Sequence, residues 1–246
     1  MHSLIRTEVL KLRTVRSPWL LLAAAPLLVT AGISGLVLSE GKPLDTTAQS
    51  GALSHVGLAS LFTLVFGILA VAGEYRHKTI TDTYLSTPAR GRVIGAKLLV
   101  YAVFGALAGV ASSLAGLGVA ALWWSDKSVS FAWSDSAMWT TIGGGIAWNA
   151  AFAAIGVGLG ALVRSLVGAI AVALAWVALV EGIVGQLIGN LARWLPFNAG
   201  QALGAGARTM DTGHLLPRWG GGVALAVYTL VFAVLALSTT MRRDVS

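Results

Sequence analysis

The residues whose pattern could suggest nucleophilic chemistry are a glycine-flanked serine motif and four histidines as candidate bases; there is no cysteine. Gly32-Ile33-Ser34-Gly35 has the form of an intramembrane serine nucleophile, but such a serine needs a base within hydrogen-bond reach. His2, His55, His77 and His214 all fall at or beyond the ends of apolar runs, so the serine has no partner and the protease reading fails. The lack of cysteine removes thiolate metal sites, disulfides and a cysteine nucleophile together. H-E-x-x-H, a G-x-G-x-x-G turn ahead of a helix and the phosphate-cradling G-x-x-x-x-G-K-[ST] are also missing, and these would carry zinc or nucleotide chemistry. The chain is therefore read as not an enzyme, with no metal or cofactor of its own. Glu181 is the one acidic residue well inside the hydrophobic register, and with Gln186 and Asn149 it is grouped as a candidate for a pathway or gate. A carboxylate at such a depth costs several kcal/mol unless it is protonated, paired or wetted. Glu181 is thus either a polar element of a cavity or gate, or is bonded to Gln186, Asn149 or the backbone of a neighbouring helix. For Asn149, helix packing is the simpler role.

The elements that must position these residues follow from composition. Of 246 residues, 56% are hydrophobic and 11% charged, against roughly 25% charged in soluble domains. Apolar runs at about Trp19–Leu38, Val56–Gly73, Leu98–Trp124, Ala137–Leu162, Leu166–Ile188 and Gly220–Thr240 are each long enough to cross roughly 30 Å of hydrocarbon as a helix. An unpaired strand in lipid would leave its backbone unsatisfied. The expected fold is an all-α integral membrane protein of six transmembrane helices, forming one domain over 1–246. The net charge of +7 sits at the ends of apolar runs rather than on one polar face, so it reads as topology and not as a nucleic-acid surface. Arg6, Lys11, Arg13, Arg16, Arg76, Lys78, Arg90, Arg92, Lys97, Arg164, Arg242 and Arg243 collect on one side; Lys42, Lys127, Arg193, Arg208 and Arg218 fall on the other. Because basic residues are retained inside, both termini are expected in the cytoplasm of a multi-pass plasma (inner) membrane protein. Trp19, Trp123, Trp124, Trp194 and Trp219 fall near the interfaces. The alanines Ala23–Ala25 come too early in the first run for a cleaved signal.

Three segments are not simply hydrophobic. Residues 1–18 read as a helix lying on the membrane surface, with Leu4, Ile5, Val9, Leu12 and Val15 in one arc. Glu8 and Arg16 intrude on that arc, and Lys11 and Arg13 add charge. After the second run, Glu74, Tyr75, Arg76, His77, Lys78 and Thr79, followed by Asp82, form a dense polar stretch. A helix is expected over 74–86, broken by Thr87-Pro88 because the residue before proline avoids the helical region. Beyond Glu181, the residues Ile183, Val184, Leu187, Ile188, Leu191, Trp194 and Leu195 keep a helical period. They predict a short outer re-entrant helix over 182–195, ended by Pro196, with Asn198–Ala207 as a loop. Gly105, Gly109 and Ser113, and Gly156 with Gly160, let backbones approach in bundle or dimer contacts.

With TEVLKLRTVRSPWLLL at the amino end, EYRHKTITDTYLSTPARGRVIGAK after the second run and VEGIVGQLIGNLARWLPFNA before the sixth, the chain resembles a type-2 ABC exporter permease. It is similar in particular to small six-span bacterial permeases encoded apart from their ATPase. The resemblance implies a permease dimer, homo- or heterodimeric, docked to separate ABC ATPase subunits that bind ATP and magnesium. It implies that the stretch around Glu8, Lys11 and Arg13 is the elbow helix, and that Glu74, Tyr75, Arg76, His77, Lys78, Thr79 and Asp82 belong to the coupling helix. Thr87, Pro88 and Arg90 would form the turn into the third helix, and 182–195 would cap the exporter outside. The cargo expected of such apolar helix faces is hydrophobic or amphipathic: a drug, a peptide antibiotic or a lipid. An ATP-independent secondary transporter or channel, and a non-transporting membrane anchor, are the alternatives.

Overall fold

The computed structural model describes residues 1–39, 45–87, 89–205 and 215–242, and every regular element among them is helical. In chain order these are α1 (His2–Thr14), α2 (Arg16–Ser39), α3 (Thr46–Leu53), a 3-10 segment (Ser54–Ala59), α4 (Ser60–Arg76) and α5 (Ile80–Ser86). There follow α6 (Arg90–Asp126), α7 (Ser136–Val163), α8 (Leu166–Ala175) with a π-helical turn (Trp176–Glu181), α9 (Gly182–Leu187), α10 (Gly189–Ala192), α11 (Pro196–Gly204) and α12 (Arg218–Arg242). Six helical stretches are long and apolar enough to cross a membrane: Trp19–Leu38, Ala48–Arg76, Arg90–Asp126, Ser136–Val163, Leu166–Leu187 and Arg218–Thr240. The six expected spans are all present. Several run further than hydropathy indicates, and α4 and α6 extend into polar sequence where Glu74 and Lys97 pair with each other. The expected turn at Pro88, and Lys42, Arg208 and His214, lie outside the described residues.

Helix α7 is the axis of the bundle, with α4, α6, α11 and α12 packed around it. The approach of α4 is close: a Cβ on Gly156 would collide with the Leu64 carbonyl, and one on Gly67 with the Ala153 carbonyl. Gly105 and Gly109 of α6 meet α7 in the same manner. The small-residue stripes therefore serve contacts inside the chain. Trp148, Phe152 and Ile155 of α7 join Leu64 and Ile68 of α4 and Leu225 of α12 in one core cluster, while Ile33, Leu53, Trp124 and Met138 form a second between α2, α3, α6 and α7.

Two of the non-hydrophobic segments depart from expectation. The polar stretch does not form one helix over 74–86. Glu74, Tyr75 and Arg76 end α4, and Lys78 takes a left-handed backbone (φ 57) while Thr79 N–H donates back to Glu74 O at 3.0 Å. This is a helix stop made without its usual glycine, after which α5 runs Ile80–Ser86. Nor is 182–195 one re-entrant helix. Gly182–Leu187 continues the fifth span through the π turn, the chain breaks at Ile188, and α10 is a single turn. Pro196 begins α11 rather than ending its predecessor, since proline's missing N–H costs nothing at a helix's first position. Asn198–Gly204, expected as loop, is consequently helical.

Candidate functional site

At the end of the bundle that carries α5, charge is buried between three elements. Lys97 of α6 is 0% exposed, and its ammonium donates to Glu8 Oε2 (2.9 Å), Glu74 Oε1 (2.7 Å) and Ala70 O (2.9 Å). Lys11, one turn on from Glu8 in α1, donates to Glu8 Oε1 (3.0 Å) and Glu74 Oε1 (2.6 Å). Two lysines thus neutralise two glutamates, and three hydrogen bonds satisfy the innermost ammonium, the condition under which a buried ion group is tolerated. Burial works against the charge on Lys11, but the hydrogen bond to Glu74 and the fields of Glu8 and Glu74 outweigh it. Its pKa stands above the ordinary lysine value of 10.5.

Glu8, which intrudes on the apolar arc of α1, is thereby explained. The arc does face the bundle, with Leu12 buried and Leu4, Ile5 and Val9 half-buried, and Glu8 is its one polar contact. Val15, assigned to the same arc, is instead exposed, because the chain becomes extended there. Trp19 Nε1 donates to Leu12 O at 2.7 Å and ties the start of α2 to the end of α1. Arg13 faces away, exposed.

Helix α5 rests on this base. Ile80 and Tyr84 are buried with Val93 of α6, against Leu4 of α1 and Tyr75 of α4. Burial pushes the Tyr84 hydroxyl well above its usual range, so it stays neutral at working pH. The guanidinium of Arg90 lies over the Tyr84 ring and that of Arg164 over the Tyr75 ring, each 5.3 Å from the centroid. The other face of α5 points outward: Thr81 and Asp82 are exposed, and Leu85 is 76% exposed. Of the residues expected to dock a partner, Arg76, His77, Lys78, Thr79 and Asp82 are on the surface, whereas Glu74 and Tyr75 turn inward. Sequence reasoning missed Lys97, counted only as a topology charge. The signal was present in a lone acid on an apolar arc, with an acid and a lysine at the ends of the adjoining spans.

At the opposite end Glu181 closes the π turn and is 3% exposed. Its carboxylate accepts from Phe197 N–H (2.9 and 3.1 Å), Asn198 N–H (3.0 Å) and Asn198 Nδ2 (3.0 Å). It therefore caps the amino end of α11, where free N–H groups and the helix dipole favour a negative charge. Asn149 Nδ2 donates to Val56 O (3.1 Å) and Gly145 O (2.8 Å), while Thr63 Oγ1 donates to Asn149 O (3.0 Å). Gln186 is exposed on α9. The three residues grouped as pathway or gate are thus held separately: Asn149 in helix packing, Glu181 in a cap, Gln186 on the surface. Ser34 Oγ accepts from Trp123 Nε1 (3.1 Å), and His55 Nδ1 lies 2.9 Å from Ala52 O. No protein-family model and no curated protein sequence matches the chain.

Proposed function

We propose that this chain is the membrane-spanning permease subunit of an ABC exporter, forming the passage for a hydrophobic or amphipathic cargo and driven by a separate ATPase subunit through α5. The observation that carries the reading is the two-sidedness of α5. A short helix between the second and third spans is anchored by Ile80 and Tyr84, yet presents Leu85 outward beside Lys78 and Asp82. A large exposed leucine beyond the apolar register, rimmed by charge, is what a docking contact requires. Its base is stiff because Lys97, Glu74, Glu8 and Lys11 bind α6, α4 and α1 together. Movement imposed on α5 is then passed into two spans and the surface helix at once. The excess of Lys and Arg at this end supports a cytoplasmic location for it, where an ATPase is available. A second permease chain, identical or a sister, completes the passage.

An ATP-independent transporter would carry its paired charges near the bilayer midplane. Here the buried pairs lie at one end, with Glu74 two residues from the end of α4 and Glu8 in the surface helix. The test is co-expression of this chain with the ABC ATPase subunits of its own host, followed by co-purification. Arg76→Glu combined with Leu85→Asp is expected to reduce recovered ATPase by about tenfold, the equivalent of about 1.4 kcal/mol, with unchanged membrane insertion. Full retention of the ATPase on that variant contradicts the assignment.

A further inference from the structure

Between the fifth span and the rest of the bundle lies a cavity of about 210 Å³ whose open surface is entirely apolar. Four aromatic side chains line it, Phe152 of α7, Trp176 of the π turn, and Tyr228 and Phe232 of α12, together with the aliphatic Leu159 and the carboxylate-bearing Glu181. We infer that this cavity is a binding site for a lipophilic monocation of the quaternary ammonium class, held by the aromatic faces and the negative charge of Glu181.

The chemistry follows from what Glu181 already does. Its oxygens accept from the Phe197 and Asn198 backbone N–H groups and from the Asn198 amide. All of these partners donate, so the carboxylate is used as an acceptor and little of its hydrogen-bonding capacity is left for a ligand. A primary amine, which needs acceptors for three N–H bonds, is poorly served by such a site. A cation without N–H donors needs only the field of the carboxylate and the negative faces of aromatic rings, which attract a cation within about 6 Å of their centroids. The cavity wall offers nothing to solvate a hydrophilic ion, which selects for apolar substituents around the charge. The π turn supplies a second, independent indication: such turns are rare and recur at functional sites, and this one spans Trp176 to Glu181, two of the lining residues. Val172 of α8, one of the lining residues, is itself 51% exposed, giving a lipophilic ligand a lateral approach from the hydrocarbon.

The site's role as a cargo site rests on the permease reading, whereas its occupancy can be measured on the chain alone. Benzyltrimethylammonium and its uncharged carbon isostere, neopentylbenzene, are titrated onto the full chain in nanodiscs, with saturation-transfer NMR as the readout and empty nanodiscs as the blank. The expected result is saturable binding of the cation, at least ~10-fold tighter than the isostere, a factor worth about 1.4 kcal/mol. Glu181→Gln is expected to abolish that preference while leaving neopentylbenzene binding unchanged. Because Glu181 also caps α11, Leu159→Trp is measured beside it. That variant keeps Glu181 itself and is expected to fill the cavity and to remove binding of both probes. A wild-type chain that binds the isostere as well as the cation, or a Leu159→Trp chain that still binds the cation, overturns the inference. Neither result bears on ATPase docking at α5, so failure here and failure of the permease reading are told apart.

Discussion

Lys97 shows how one residue decides the local structure of three elements. Its ammonium is inaccessible to water and is held by Glu8, Glu74 and the Ala70 carbonyl. Removing one partner of such a group strands the other charges, at a cost of about 3–5 kcal/mol. Lys97→Met is therefore expected to lower the melting temperature of the purified chain far more than Lys11→Met, whose lysine is partly exposed. The Lys11 contribution also has a defined pH window. Its folded-state pKa is raised, so the stability it confers is complete below about pH 10.5 and is lost as pH rises through the folded value. Melts should show a constant deficit for Lys11→Met between about pH 6 and pH 9, shrinking above about pH 10.5. A deficit that persists unchanged in strong alkali contradicts the ion-pair account. None of this pairing was legible from local sequence, because Glu8 and Lys97 are 89 residues apart. What could be read was the anomaly, an acid on an apolar face.

For whole elements, hydropathy located the six spans, because burying roughly 20 apolar residues per crossing dominates every other term. It could not place their ends. Helix α6 begins at Arg90, well before the apolar run, because Lys97 has partners and Val93 packs on α5. The helix expected over 74–86 proved shorter because Lys78 takes a left-handed turn that glycine normally marks. On the other side, Pro196 was taken as a stop although proline also opens helices, and Glu181 completes that opening as its cap. The α4–α7 contact was legible as a small-residue stripe, and its geometry makes it testable. A Cβ at Gly156 meets the Leu64 carbonyl, a backbone atom that cannot swing aside. Gly156→Val is expected to destabilise the chain by about 1–3 kcal/mol through overpacking, read as a lower melting temperature in detergent. Gly35→Val, at a position where a Cβ meets open space, is the matched control and should melt close to wild type.

At the scale of the whole molecule, the two ends of the bundle have different characters. One end is a charge-tied base, with α1, α4 and α6 locked together and α5 projecting from it. The other is closed by α11, whose amino terminus is held to the fifth span by Glu181 and just after which the Ala205 carbonyl accepts from Arg218 and Thr141. Between them an apolar cavity opens beside a lightly packed fifth span. Force entering at α5 and a ligand held near Glu181 would communicate through α4 and α7, which touch both regions. A permease powered from outside its own sequence needs such an arrangement: a stiff input, a central pair of helices, and a cavity remote from the input. The absence of cysteine makes the central claim directly measurable, because a single introduced thiol is the only one present. Leu85→Cys is reacted with a membrane-impermeant maleimide in intact cells and in inside-out vesicles, with and without a co-expressed ABC ATPase subunit. The account predicts labelling only from the cytoplasmic face and protection when the ATPase is bound. Labelling from the cell exterior, or labelling that the ATPase leaves unchanged, would contradict it.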